Sequence, residues 1–154
     1  MTTCQRLLLA AAGLSAAVAM LHLGIIFAGP AAYAYFGAPD LARVESAGSS
    51  VPDVVTAGLV LVFAAFAYYA LAGAGWARRR PPLLRLGLAS IGTLYTLRGL
   101  VFVPQLLQLA SGVARGPLRY GWFSLGSLVT GLCYLAGTLP QWRALRTALD
   151  RTGG

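Results

Sequence analysis

The chain has 154 residues, 58% of them apolar and only 10% charged, and its 12 basic and 4 acidic side chains give a net charge of +8. All 12 basic residues are Arg, and Lys and Asn are absent. That balance excludes a soluble single-domain enzyme, a disordered chain and a disulfide-stapled secreted domain, and leaves a small polytopic membrane protein.

A hydrocarbon core of about 30 Å needs about 20 apolar helical residues per crossing. Four stretches meet that length: 7–29, 54–75, 83–110 and 121–139. They are long continuous runs rather than the short alternating segments of a β-barrel. The expected fold is therefore all-α: one integral membrane domain over 1–154, a four-helix bundle with an outer loop at 30–53. Gly29-Pro30 ends the first span, because Pro cannot continue the hydrogen-bond ladder. Ser50-Val51-Pro52-Asp53 fits a helix start, with Ser50 as cap and Asp53 favourably placed on the helix dipole. Arg78-Arg79-Arg80-Pro81-Pro82 makes a tight hairpin of the second and third spans, and Gly116-Pro117 separates the third from the fourth. Arg6, the first apolar run and Ala17-Val18-Ala19 also match a cleavable signal peptide, which would leave three helices. The run continues about ten residues past that site, which suits a full span better.

Arginines set the orientation. Arg6, Arg78, Arg79, Arg80, Arg85, Arg143, Arg146 and Arg151 mark the ends and the second connection, whereas the first connection carries Asp40, Glu45 and Asp53 against Arg43 alone. Both termini are expected in the cytoplasm and the acidic loop outside, with Arg115 and Arg119 a mild dissent. Trp76 and Trp142 fit the inner interface, and Tyr120 and Trp122 the outer one. The excess of Arg is explained by topology and by anionic head groups. No aromatic-interleaved basic surface is present to grip nucleic acid, and none is expected as a partner.

Most catalytic constellations are missing. Cys4 and Cys133 belong to no C-x-x-C pair, and one His cannot build a metal or haem site. No span holds a pair of acids, and no phosphate-loop, zinc-protease or nucleophile-elbow motif occurs. No metal or cofactor is expected. Arg98 remains, with twelve uncharged residues before it back to Arg85 and sixteen after it up to Arg115. A charge at mid-span is costly and marks a functional site by default. It is expected to face the bundle interior, with Tyr95, Phe102 and Gln105 along its stripe. His22 falls at similar depth in the first span, so a ligand site of Arg98, His22, Tyr95 and Gln105 is expected. The alternative is a structural lock, with Arg98 paired to Glu45 or Asp53 or bonded to carbonyls freed near Pro104. His22 has a similar alternative, a hydrogen bond across helices.

The outer loop places Tyr33, Tyr35 and Phe36 at the interface and a short helix over Pro39 to Ala47, which would act as a lid or an interfacial anchor. In the fourth span Ser124, Ser127, Gly131, Tyr134 and Thr138 share one face, a small-residue seam for helix packing or for an oligomer. A short echo links the halves: Tyr69-Ala-Leu-Ala-Gly73 with Tyr134-Leu-Ala-Gly137, and Leu21-His22 with Leu97-Arg98. It matches a duplicated hairpin and chance equally well.

Leu21-His22, Gly29-Pro30, Phe36-Gly37-Ala38-Pro39 and Leu97-Arg98-Gly99-Leu100 together resemble a group of uncharacterised small bacterial four-helix inner-membrane proteins. The resemblance covers most of the chain and implies a bacterial inner membrane, but no activity. The residues themselves point first to binding or transport of a small anionic or amphiphilic molecule around Arg98. An enzyme on a lipid or isoprenoid substrate, with His22 as acid or base, is the second reading. A non-catalytic accessory or immunity-type subunit docking on another membrane protein is the third. Membrane lipids, such a ligand, a second copy or a membrane-protein partner are the expected associates.

Overall fold

The computed structural model describes residues 1–111 and 119–145, without the side chains of residues 105, 109 and 110. Helices run in the order α1 (Thr3–Ala28), α2 (Pro30–Tyr35), α3 (Pro39–Ser46), α4 (Val51–Gly73), α5 (Leu84–Leu100), α6 (Phe102–Ala110) and α7 (Arg119–Thr138), then a 3-10 turn at Leu139–Gln141. No strand occurs among the described residues. Four stretches are long and apolar enough to cross a membrane: Thr3–Ala28, Val51–Gly73, Leu84–Gln108 and Arg119–Gln141. Their length and composition suggest a multi-pass membrane protein.

Local chemistry explains the breaks. Gly29 takes φ +73° between α1 and α2, a backbone state that side chains with a Cβ rarely adopt. Pro30 and Pro39 each open a short helix, where the missing N–H costs nothing. The third span is not the continuous helix expected over 83–110. Pro104 has no N–H for the Leu100 carbonyl and its ring crowds that group. Accordingly α5 stops at Leu100 and α6 begins at Phe102.

The chain falls into two compact units, Gly13–Ala67 on one hand and Met1–Ala12 with Tyr68–Gly154 on the other. α1 and α4 each contribute one part to each unit.

The unit containing α5 and α7 is built on glycine contacts. A methyl group at Gly99 would sit 2.5 Å from Leu128 Cα, one at Gly131 2.5 Å from the Thr96 nitrogen, and one at Gly92 2.8 Å from Tyr134 Cβ. Paired positions run in opposite directions, so α5 and α7 are antiparallel and nearly backbone to backbone. Lipid offers no hydrophobic drive for this contact, so close van der Waals packing between small residues carries it. The Tyr95 and Tyr134 rings stack across it, 5.9 Å between centroids. At the other end of the pair, Leu8 of α1 lies against Gly73 of α4 and Gly137 of α7, and Leu88 of α5 against Gly73. Leu8, Leu84, Leu88 and Tyr134 are wholly buried.

In the unit of α2 and α3, Ile25, Tyr33 and Ala42 form a small core with Ala32, Phe36, Ala38 and Leu41 packed around it. Tyr33 was expected at the interface but is buried, because its hydroxyl finds partners inside. It hydrogen-bonds Thr56 Oγ1 at 2.9 Å and lies 3.3 Å from Asp53 Oδ1. Asp53 thus accepts from a phenol 20 residues earlier in the chain rather than serving only its own helix start.

Candidate functional site

Arg98 follows from the α5–α7 contact. Gly99 is the position at which the backbones meet, so its neighbour Arg98 is rotated off that face by about 100°. Its side chain is exposed. The register of Thr96 against Gly131 and Gly99 against Leu128 sets the Arg98 backbone level with Val129. The guanidinium nevertheless reaches Ser124, with Nη1 donating to Oγ at 3.3 Å. Ser124 is five residues nearer the start of α7, a climb of about 7.5 Å at 1.5 Å per residue. A long basic side chain climbing along an apolar surface toward a helix end is snorkelling. Ser124 itself is wholly buried, so its position is fixed by the helix pair.

A guanidinium carries five N–H donors. Ser124 takes one. Among the described residues the only ion pair is Arg43–Asp40, an exposed contact within α3. Neither α5 nor α7 contains an Asp or Glu, so the helix pair itself supplies Arg98 no carboxylate. Above Ser124, Arg119 lies over the Tyr120 ring at 5.2 Å, and Trp122 is exposed. Such a surface offers strong, directional donors to an anionic oxygen, beside apolar walls that suit an acyl chain.

Tyr95 is buried in the stack on Tyr134, so it packs the helix pair that positions Arg98. Phe102 lies near Gly121, where α6 meets α7. The Gln105 side chain, Arg115, Arg146 and Arg151 lie outside the described residues. His22 belongs to the other compact unit. Its Nδ1 is 2.8 Å from the Val18 carbonyl, which only accepts, so that nitrogen bears the proton. Its ring lies 4.9 Å from that of Phe63. Of the α7 seam, Ser124 and Gly131 face α5 within this chain. Ser127 is half-buried and donates to the Phe123 carbonyl at 3.1 Å.

Two groups of residues gather that the sequence reading did not bring together. Gly92, Thr96 and Gly99 form the α5 side of the seam, and the seven-residue spacing of the two glycines was their signal. Tyr33, Thr56, Asp53 and Glu45 form the second group. Glu45 tucks beside Gly29, and its Oε2 is shielded without a hydrogen-bond partner. Loss of water and the charge of Asp53 push its carboxyl above the usual range. Burial likewise pushes the Tyr33 phenol up, with the Thr56 hydrogen bond opposing. No three His, Cys, Asp or Glu gather among the described residues in a way that could hold a metal.

Against known proteins, no family model, no curated protein and no solved structure matches this chain.

Proposed function

We propose that this chain is a multi-pass protein of a bacterial inner membrane, with cytoplasmic termini, that binds a small anionic amphiphile with its head group at Arg98. The observation that carries this reading is the exposed Arg98 guanidinium on a helix pair that contains no acid. Arg98 donates to Ser124, and neither α5 nor α7 carries an Asp or Glu. A lone cation in that setting is costly, and a carboxylate or phosphate from the bilayer would neutralise it. Snorkelling toward the start of α7 favours a head group at the interface over a solute at the bilayer centre. Orientation rests on Arg6, Arg78, Arg79 and Arg80 at one set of span ends and Asp40, Glu45 and Asp53 on the other connection. Tyr95 is assigned a positioning role, and ligand contact goes to Arg98 with Ser124 beside it.

The test uses the purified full chain with oleate or phosphatidylglycerol as probe and native mass spectrometry as readout. Wild type should retain either probe over phosphatidylcholine. Arg98→Gln should weaken retention about tenfold or more, the factor expected for a charge-assisted hydrogen bond. Arg98→Lys should keep part of it. Equal retention in all three proteins would remove the proposal. Retention of a stoichiometric protein partner that tolerates Arg98→Gln would put the accessory-subunit reading in its place.

A further inference from the structure

The connection between α4 and α5 is built more rigidly than a topology signal requires. Gly75, at φ +83°, closes α4 with bonds from Gly75 N–H to the Ala72 carbonyl at 3.1 Å and from Trp76 N–H to the Leu71 carbonyl at 2.9 Å. This is the paired C-terminal cap that glycine permits. Two consecutive tyrosines of α4 then reach back to the connection. The Tyr68 hydroxyl donates to the Arg79 carbonyl at 2.9 Å, and the Tyr69 hydroxyl to the Pro82 carbonyl at 3.3 Å. The Tyr69 ring lies against Gly87 of α5, where a Cβ would come within 2.8 Å of Tyr69 Cδ1. Pro81 and Pro82 restrict the backbone further.

What this scaffold displays is Arg78, Arg79 and Arg80, all exposed, none of them ion-paired among the described residues. Topology needs only that positive charge be present near a span end. It does not need the backbone that carries the charges to be held in place, and ordering that backbone costs conformational entropy. Preorganisation of that kind lowers the cost of binding a multivalent anion. The location selects the anion. The connection joins two apolar helices directly, so it lies where lipid head groups begin, and Trp76 beside it is 66% exposed, as an interfacial anchor would be.

We propose that residues 76–83 form a preorganised site for the phosphates of an anionic lipid, with a diphosphate lipid preferred over a monophosphate one. The site is separate from Arg98 and rests on the membrane reading of the chain, not on the ligand assigned to Arg98.

The experiment places the full chain in nanodiscs that contain phosphatidylcholine with cardiolipin or phosphatidylglycerol at matched phosphate content. Lipid retained after detergent release is read by native mass spectrometry. Cardiolipin should be retained over phosphatidylglycerol. The triple variant Arg78→Gln, Arg79→Gln, Arg80→Gln should lose about fivefold per arginine removed. Because that variant also weakens the topology signal, the double variant Tyr68→Phe, Tyr69→Phe gives an independent arm. It keeps all three charges and should still lose about fivefold, the worth of a net hydrogen bond. Arg98→Gln should leave cardiolipin retention unchanged, so failure at one site is distinguishable from failure at the other. The proposal is overturned if the triple variant retains cardiolipin as wild type does, or if the tyrosine variant shows no loss. It is equally overturned if soluble pyrophosphate binds as tightly as cardiolipin, which would make the ligand a free phosphate.

Discussion

The α5–α7 pair and the α2–α3 region solve the same problem, holding helices together, by opposite means. α5 and α7 meet through glycines, with almost no side chain between the backbones at Gly99 and Gly131. α2 and α3 meet the start of α4 through a phenol, a hydroxyl and two carboxylates: Tyr33, Thr56, Asp53 and Glu45. The first solution depends on shape alone and suits lipid, where apolar surface has no preference for its own kind. The second depends on hydrogen bonds and charge, so it responds to water and protons. Arg98 stands at the edge of the first region, and its charge is what that region does not absorb.

The largest effect expected from this contrast is steric. Gly99→Ala or Gly131→Ala should destabilise the protein by about 1–3 kcal/mol, and Leu at either position by more, because backbone rather than a flexible side chain must move. Gly13→Ala, Gly58→Ala and Gly126→Ala, where open space surrounds the added carbon, should be neutral or stabilising by up to about 1 kcal/mol. Thermal unfolding in detergent would measure both sets. Equal effects across the five positions would break the distinction.

In the other region, Tyr33→Phe should cost about 1–2 kcal/mol, since Thr56 and Asp53 each lose the phenol as a hydrogen-bond partner. Hydrogen exchange should rise in α2, α3 and the first turns of α4, and stay unchanged in α5 and α7.

Thr138→Val should act with the opposite sign. The Thr138 hydroxyl is wholly buried and has no hydrogen-bond partner. Its removal should stabilise by up to about 1 kcal/mol in the same unfolding measurement.

The smallest expected effect is with pH. The folded-state pKa of Glu45 is raised by loss of water and by Asp53, so the folded chain holds this proton more tightly than the unfolded chain does. The stability this adds is fully present below the ordinary glutamate value and is lost as pH rises through the raised value. Exchange protection of α3 should therefore fall from mildly acidic to neutral pH, and Glu45→Gln should flatten the profile. Protection of α5 should not follow it.

Much of this architecture was legible in the sequence because uninterrupted apolar length and proline position need no tertiary knowledge. The four long helices follow from the runs beginning near Leu7, Val54, Leu83 and Gly121, and the α1 break from Gly29-Pro30. The break at Val101 falls where Pro104 frees carbonyls, but apolarity continues across it, so the run reads as one span. The face of α5 that packs was not legible. In a helix that is apolar all round, no polar stripe marks the lipid side, so a lone Arg is naturally assigned inward. Gly92 and Gly99 carried the missing information: the glycine face is the contact face, and Arg98 stands beside it. Tyr33 and Asp53 were misjudged for another reason. They lie 20 residues apart across two short helices, and no periodicity fixes how such a connection folds back.

The central claim is that Arg98 holds an anionic head group at the start of α7. Trp122, exposed three residues from the first residue of α7, provides the reporter, with Trp76→Phe and Trp142→Phe to isolate its fluorescence. In nanodiscs carrying brominated phosphatidylglycerol or brominated phosphatidylcholine at equal fractions, the account predicts stronger quenching by the anionic lipid, with the difference abolished by Arg98→Gln and partly kept by Arg98→Lys. Identical quenching by the two lipids in the Arg98 protein, or a preference that survives in Arg98→Gln, would contradict it.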